Sequence, residues 1–461
     1  MEKRELKLNY KNTFIIGLAF LGILMLWQVY NTYCPIILEY LLKLNFGADK
    51  DYFYITGIIM AIDNVVALIV MPIFGNMSDR TKTKYGKRMP YIIIGSILSA
   101  IIFPFIAVAF IVNSLVGVII TMCLILVIMQ GYRSPAVALM PDLTPKPLRS
   151  SANGIINLVG YFGAITAAGI GMVFSIKDTT PIDEATSIAI YPFIITTVVM
   201  LVITVVLAFK LNENKLLEEM QDDLKLGEEM SETLEIIEED KPLSKKDKGN
   251  LWVLIISIFL WFMAFNSVET FNSLFCKDIF GNSSVHGTFT IILTFSSVLA
   301  FALLSSLSRK IGRKFTIALG LVLMIIGFLY VSVFTYTMDP NIENNSFIIV
   351  YVSTVLLGFG WALINVNSYP MMVEMASGKN IGKFTGYYYS ASMLAQSITP
   401  ILVGIIMTNS NIGLKALYVY ACVFMVLALF TFTFIKENRN THLKNSQSES
   451  KSFFELMDND K

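Results

Sequence analysis

Long apolar stretches alternate with short polar stretches along most of this chain. Each apolar stretch has about 20 residues or more, which is the length that a helix needs to cross ~30 Å of hydrocarbon. The pattern predicts twelve membrane-spanning helices, at residues 13–40, 52–77, 89–111, 115–140, 150–176, 188–211, 250–276, 286–306, 315–338, 346–372, 382–408 and 413–435. The predicted fold class is therefore an all-α integral membrane protein with 12 transmembrane helices.

The composition supports this prediction and excludes other classes. Of the 461 residues, 55% are hydrophobic and 15% are charged, which is too apolar for a water-soluble globular protein. The net charge of +1 gives no general attraction to nucleic acid, so no nucleic-acid partner is expected. The four cysteines form no Cys-x-x-Cys pair and are expected to act as packing residues. With only two histidines, His286 and His442, a histidine-rich metal site or proton relay is not expected.

The motifs of ATP-driven pumps and of hydrolases are absent from the sequence. The chain has no Gly-x4-Gly-Lys-[Ser/Thr], no His-Glu-x-x-His and no Gly-x-Ser-x-Gly. Those motifs supply a phosphate-binding loop, a pair of zinc ligands and a serine nucleophile. We therefore expect a protein that is not an enzyme and that carries no cofactor.

The basic residues are distributed unevenly between the two sides of the membrane. Of the 35 Lys and Arg residues, 29 fall on the side of the N-terminus, five fall on the other side, and Arg133 lies within a span. Cytoplasmic loops carry the excess of basic residues in membrane proteins. The pattern therefore predicts a multi-pass protein of the cell membrane with both termini in the cytoplasm.

Two basic loops suggest an internal duplication of the chain. One joins the second and third spans at residues 75–88, and a weaker copy lies at 309–314 between the eighth and ninth spans. The predicted domains are an N-terminal six-helix bundle (1–211), a cytoplasmic linker (212–249), a C-terminal six-helix bundle (250–436) and a polar cytoplasmic tail (437–461). The linker is expected to form a surface helix between the halves; the alternative is a regulatory docking site.

The first basic loop also carries a family resemblance. Gly-x3-Asp-Arg (Gly75, Asp79, Arg80) followed by Gly-Lys-Arg (Gly86 to Arg88) resembles the signature loop of the major facilitator superfamily. The long form of the loop, SDRTKTKYGKRMPY, is similar to that of glycoside–cation symporters, in particular the sucrose-transporter-like branch. In the second copy Arg309 stands in place of the aspartate, which puts an Asp-mediated gate contact there in doubt.

The resemblance implies a fold and a function. The fold is two pseudo-symmetric six-helix bundles that rock around a site between them. The function is uptake of a disaccharide or other glycoside together with a proton, by a protein expected to be a monomer in the lipid bilayer. The gating residues that it implies are Gly75, Asp79, Arg80, Gly86, Arg88 and, in the second copy, Arg313.

Charged side chains within spans are costly and therefore mark candidate functional residues. Asp63 lies in the second span, Arg133 in the fourth and Glu269 in the seventh. The functional hypothesis is that Asp63 gains and loses a proton while Arg133 alternates between Asp63 and the substrate, and the resemblance favours it. The alternatives are a structural ion pair between these two residues, and for Glu269 a pore-lining carboxylate. Glu39 is expected to lie at the membrane interface.

Polar and aromatic side chains recur in the first, fourth, fifth, seventh, tenth and eleventh spans, the set that lines the cavity in the superfamily. Amides bind sugar hydroxyls, and aromatic faces stack on sugar rings. The alternative is that these groups join neighbouring helices. The candidate substrate contacts are Trp27, Gln28, Asn31, Gln130, Asn157, Asn266, Trp361, Asn365 and Gln396.

Two other functions remain open from the sequence. One is a superfamily transporter for a different solute, such as a nucleoside or a drug. The other is a membrane sugar sensor that signals through the linker or the tail. A sensor usually needs a folded output domain, and neither segment is long enough to form one.

Overall fold

The fold is described here from a computed structural model, for residues 6–235, 245–304, 311–337, 347–374, 381–408 and 413–435. The tail, residues 309–310 of the second basic loop and residues 236–244 of the linker lie outside the described residues. The helices are α1 (Tyr10–Phe46), α2 (Phe53–Arg80), α3 (Met89–Ile102), α4 (Pro104–Ile111), α5 (Leu115–Asp142), α6 (Arg149–Val173), α7 (Ile182–Lys210), α8 (Glu213–Glu219), α9 (Gln221–Glu235), α10 (Lys245–Ile279), α11 (Ser284–Leu304), α12 (Arg313–Thr337), α13 (Ile348–Glu374), α14 (Ile381–Thr408) and α15 (Ala416–Thr433).

The twelve predicted spans are confirmed. Within the described residues, twelve helical segments are long and apolar enough to cross a membrane. The third span consists of α3 and α4, which meet at Phe103 because Pro104 begins the second of them and proline lacks the N–H that a continuous helix needs. The first span, α1, extends to Phe46, and α10 begins at Lys245, so both helices are several residues longer than predicted.

The helices pack as two six-helix bundles that meet along three helix pairs. In the first bundle α1 packs on α6 and α7, and α5 packs on α2 and α3. In the second, α12 packs on α13, and α10 packs on α14 and α15. The bundles meet where α2 contacts α14, α6 contacts α11 and α1 contacts α10.

The described residues include several contacts between the bundles at one end of the molecule. We call the end with residues 80–89 the basic end and the end with residues 46–53 and 279–284 the opposite end. At the opposite end, the backbone N–H of Tyr54 donates to Thr408 Oγ1 at 3.0 Å. The backbones of Ile176 and Ser283 also bond there, at 3.0 Å. These contacts close the space between the bundles at the opposite end.

A buried ion pair adds to this closure. Lys277 Nζ of α10 lies 2.8 Å from Glu39 Oε2 of α1, and both side chains are buried. Glu39 also pairs with Lys43 at 2.6 Å. Glu39, which was predicted to lie at the membrane interface, is enclosed by protein and paired with a lysine of the other bundle.

The linker helices α8 and α9 pack on the basic end of the first bundle. Glu213, which is fully buried, accepts hydrogen bonds from the backbone N–H groups of Arg88 and Met89 at 2.8 and 3.0 Å. It thereby caps the N-terminus of α3, whose first N–H groups have no partner within the helix. The Asn214 amide bonds the carbonyl oxygens of Thr83 and Lys84 at 3.0 Å. The linker thus forms two helices and is fastened to the basic loop.

Candidate functional site

A cavity of about 250 Å³ lies between the two bundles near the middle of the spans. Its walls come from α1 and α6 of the first bundle and from α10, α11, α12 and α13 of the second. The predicted cavity spans included the fourth and eleventh, but α5 and α14 contribute no lining residue. Instead α5 packs behind α2 and α3, and α14 packs on α2. The eighth and ninth spans, α11 and α12, take part in their place.

Aromatic rings form one side of the cavity. Trp361 of α13 stacks on Phe265 of α10, with ring centroids 3.6 Å apart and an interplanar angle of 3°. Phe262 meets the edge of Trp361 at 5.6 Å and holds its ring in place. Trp27 of α1 also lines the cavity. Rigid aromatic faces of this kind provide an apolar platform for a flat or ring-shaped solute.

Hydrogen-bonding side chains form another side of the cavity. The Gln28 amide nitrogen lies 3.3 Å from His286 Nε2 and 3.5 Å from Thr290 Oγ1, so α1 and α11 are joined across the bundle interface. His286 Nδ1 lies 3.0 Å from the Asn272 amide nitrogen, and the Tyr418 hydroxyl donates to Asn272 Oδ1 at 2.7 Å. Four helices therefore meet in one chain of polar groups.

Some lining side chains remain available to a solute. Asn31, Tyr161 and Thr294 line the cavity, and none of the three side chains hydrogen-bonds another described residue. Buried polar groups usually have partners. In this cavity their partner would be a solute or water.

Glu269 is the acidic residue of the cavity lining. The Arg133 guanidinium lies over the Trp27 ring, 5.4 Å from its centroid, and is close enough to interact electrostatically with both Glu269 and Asp63. Asp63 is buried and accepts a hydrogen bond from the Gln130 amide at 3.1 Å. Asp63 and Arg133 both belong to the described residues, and their charged groups form no ion pair within 4 Å. The direct Asp63–Arg133 pair considered from the sequence is therefore not formed here.

The structure brings together only part of the predicted contact set. Trp27, Gln28, Asn31, Glu269 and Trp361 line the cavity. Asn266, Asn365 and Gln396 lie outside the lining. The amides of Asn266 and Asn365 bond the carbonyl oxygens of Phe262 and Trp361 on their own helices, at 2.6 and 2.9 Å. Asn157 also lies outside the lining.

The predicted gating residues organise the basic loop within the first bundle. The guanidinium of Arg88, which is buried, bonds Asp79 and Ser78 Oγ, and lies 2.9 Å from Asp142 Oδ2. It also donates to the Gly75 carbonyl at 3.4 Å. Gly86 has φ +105°, which favours glycine. Asp79 was predicted to pair with neighbouring arginines across helix ends when the cytoplasmic side is shut; here it pairs with Arg88 of its own bundle. Arg80 is exposed, and Arg313 begins α12.

Sequence reasoning missed the contribution of α11. His286, Thr290, Thr294 and Ser297 all face the cavity. Their spacing of four, four and three residues is that of one helical face. That spacing is visible in the sequence, but with only two histidines no histidine-rich site or relay was predicted, and His286 was not among the predicted contacts.

Comparisons with known proteins give the following matches. A family model described as Major Facilitator Superfamily matches residues 18–340 and 287–457. A lactose permease of Lactobacillus helveticus is 45% identical over 53 residues, which are 12% of this chain and 8% of that protein. The chain therefore matches only a small part of the length of that relative.

Solved structures share the fold over almost the whole chain. A D-xylose-proton symporter superposes with a TM-score of 0.65 at 15% identity, covering 94% of this chain and 99% of that one. The inward open conformation of the xylose transporter XylE from E. coli superposes with a TM-score of 0.66 at 15% identity, covering 93% and 97%. At this identity the likeness concerns the fold alone.

Proposed function

Because this chain belongs to the major facilitator superfamily, we propose that it is a secondary active transporter that takes up a glycoside together with a proton. The membrane transporter class follows from the family and the fold, and the superfamily's members are not enzymes. The substrate class and the coupling ion are the proposal.

The single observation that carries the substrate class is the make-up of the cavity. An aromatic platform, Trp361 on Phe265, faces amide and hydroxyl side chains such as Asn31 and Thr294. A sugar ring has an apolar face and a rim of hydroxyl groups, and it fits such a combination of surfaces. The short match to a lactose permease and the fold shared with a D-xylose-proton symporter support the same class.

The coupling proton is assigned to Asp63, with Arg133 and Glu269 as its partners. Asp63 is buried and accepts one hydrogen bond from Gln130. Among the described residues no cation forms an ion pair with its carboxyl that would hold it ionised. Arg133 is close enough to both Asp63 and the cavity residue Glu269 to act electrostatically on them. We assign to Arg133 the role of passing the effect of protonation to the cavity wall. The name of the D-xylose-proton symporter supports a proton rather than another ion.

The basic end is assigned to the cytoplasm, because 29 of the 35 Lys and Arg residues fall on that side. With the described contacts closing the opposite end, we assign the structure to a state closed toward the outside, the inward-facing state of the alternating-access cycle. The Arg88 cluster is assigned the role of keeping the basic loop in shape while the bundles move. The proposed division of the chain is 1–211 and 250–436, joined by the linker, in a monomer of the cell membrane.

Equilibrium binding to the purified protein tests the substrate class. Trp27 and Trp361 line the cavity, so a bound solute is expected to change tryptophan fluorescence. Titration with lactose, sucrose, maltose and xylose is expected to give saturable changes, with affinities that are weakened in Trp361→Ala. Uridine is the matched probe for the other candidate, a nucleoside, whose flat base also fits a stacked aromatic pair. Saturable binding of uridine and of none of the sugars would replace the glycoside proposal.

A further inference from the structure

His286 stands at the point where the cavity meets the seal between the bundles. Its side chain is 5% exposed and lines the cavity from the first turn of α11. Its backbone N–H bonds the carbonyl of Ser283 at 3.1 Å. Ser283 in turn belongs to the contact that closes the opposite end. A substitution of His286 is therefore expected to affect both the cavity wall and the Ser283–Ile176 contact that closes the opposite end, which we call the seal.

The seal next to His286 is made of backbone hydrogen bonds between the bundles. The N–H of Ser283 donates to the Ile176 carbonyl at 3.0 Å, and the Ile176 N–H donates to Ser283 Oγ at 2.8 Å. The N–H of Asp178 donates to the Gly281 carbonyl at 3.2 Å. Each of these N–H groups loses its partner when the bundles part at this end. Their exchange with solvent therefore reports directly on closure.

The chemistry of the imidazole fixes how it joins the bundles. Asn272 Oδ1 already accepts from the Tyr418 hydroxyl at 2.7 Å and from the Cys276 thiol at 3.6 Å. The Asn272 amide nitrogen therefore donates to His286 Nδ1, and a neutral imidazole must then carry its proton on Nε2. An Nε2–H needs an acceptor, which is the Gln28 amide oxygen once that amide is rotated by half a turn.

The two ring nitrogens therefore have different partners. Nδ1 bonds Asn272 within the second bundle, whereas Nε2 bonds Gln28 of the first bundle. The bond to Asn272 fixes the tautomer and the direction of the ring. The bond to Gln28 crosses the interface and can exist only while the opposite end is closed.

We propose that His286 is a positioning residue for transport: its Nε2–H bond to Gln28, oriented by Asn272, holds the opposite end of the cavity closed. Alternating access requires this bond to break and to form again once in each cycle. The inference needs the two-bundle fold and is independent of which solute is carried.

Two conservative substitutions separate the two bonds. In His286→Gln the side-chain amide occupies the position of Nε2 and keeps the bond to Gln28. In His286→Asn the amide occupies the position of Nδ1 and keeps only the bond to Asn272. His286→Leu removes both bonds at similar volume. Ser296→Ala is the matched control, because Ser296 is a buried polar residue of the same helix that does not line the cavity.

The experiment is hydrogen–deuterium exchange of the full-length protein in lipid nanodiscs, without solute, read in peptides that contain residues 176–178 and 281–283. Loss of one hydrogen bond is expected to raise exchange in both segments by about five-fold in His286→Leu and His286→Asn. Exchange in His286→Gln and Ser296→Ala is expected to stay within about two-fold of wild type, below the effect of one hydrogen bond.

Two results would overturn the proposal. Equal exchange in His286→Gln and His286→Asn would show that the bond to Gln28 is not what closes this end. Wild-type exchange in His286→Leu would show that His286 does not hold it closed at all. If His286→Leu fails to fold, Gln28→Leu removes the same bond from the other bundle and is expected to raise exchange equally. Because no solute is present, a failure of the glycoside proposal leaves this test intact.

Discussion

The ion pair between Lys277 and Glu39 is expected to set the balance between the two end states. Their charged atoms are 2.8 Å apart, and the side chains are 4% and 7% exposed. Removing one partner of a buried pair generally costs about 3–5 kcal/mol. Here each residue keeps a second partner when the other is removed. Lys277 Nζ lies 2.5 Å from Asp278 Oδ1, and Glu39 Oε1 lies 2.6 Å from Lys43 Nζ.

The substitution Lys277→Gln is therefore expected to destabilise the closed state by less than about 3–5 kcal/mol. When the opposite end opens, the side chains at positions 277 and 39 are exposed to water, so the substitution changes the free energy of the open state little. The difference between the states is expected to be about 1–3 kcal/mol, which shifts the equilibrium by about 5- to 150-fold toward opening at the opposite end. The conservative variant Lys277→Arg keeps a cation beside Glu39 and is the matched control, expected to stay close to the wild-type balance.

Electron–electron distance measurements test this shift. Spin labels at Lys50 and Lys415 would report the separation of the bundles, because both residues are exposed at the opposite end and belong to different bundles. The half-buried cysteines Cys123 and Cys422 would first be replaced by serine. Lys277→Gln is expected to increase the population at the longer distance. An unchanged distance distribution in Lys277→Gln, or an equal shift in Lys277→Arg, would contradict this expectation.

The remaining predictions concern the interface, the platform and the linker. Gly57→Val is expected to slow transport strongly, because a Cβ at Gly57 would lie 2.1 Å from the Pro400 carbonyl oxygen and forcing bulk into a packed contact costs about 1–3 kcal/mol. Gly169→Ala is the control, because a Cβ at Gly169 has nothing within 4 Å. Equal transport rates in the two variants would contradict the expectation. Trp361→Ala should weaken sugar binding by about 30-fold in fluorescence titrations, and Trp361→Phe should weaken it less. Similar affinities in the two variants would argue against stacking of the sugar ring on Trp361. Glu213→Ala should destabilise the cap of α3 by about 1–2 kcal/mol and speed proteolysis within 212–235. Glu213→Gln keeps an acceptor oxygen, so its cleavage rate should change less. A wild-type cleavage rate in Glu213→Ala would show that Glu213 does not hold the linker on the basic loop.

The architecture could be predicted from the sequence because it depends on local hydropathy. A run of apolar residues long enough to span hydrocarbon has few alternatives to a helix, so twelve spans were predicted and twelve are found. The loop of residues 75–88 was recognisable because its glycine, aspartate and arginine residues occur at fixed spacings. Arg88 and Asp79 pair within that short loop, which local spacing can indicate.

The site was less predictable because it depends on contacts between distant helices. Asn365 has the composition of a sugar ligand, yet its amide is used by the backbone carbonyl one turn away. Glu39 and Lys277 are 238 positions apart, and nothing local to either residue indicates the other. His286 gains its importance from Gln28 and Asn272, which come from two other helices. Only the spacing of polar positions along α11 offered a signal in the sequence.

The most direct test of the central claim is uptake of labelled lactose and sucrose into proteoliposomes, with and without an inward proton gradient. The account predicts accumulation above the external concentration when the gradient is imposed. It also predicts that Asp63→Asn abolishes this accumulation while binding of the sugar persists. Uptake that only equilibrates and ignores both the gradient and Asp63→Asn, or no uptake of any sugar, would contradict a proton-coupled glycoside symporter.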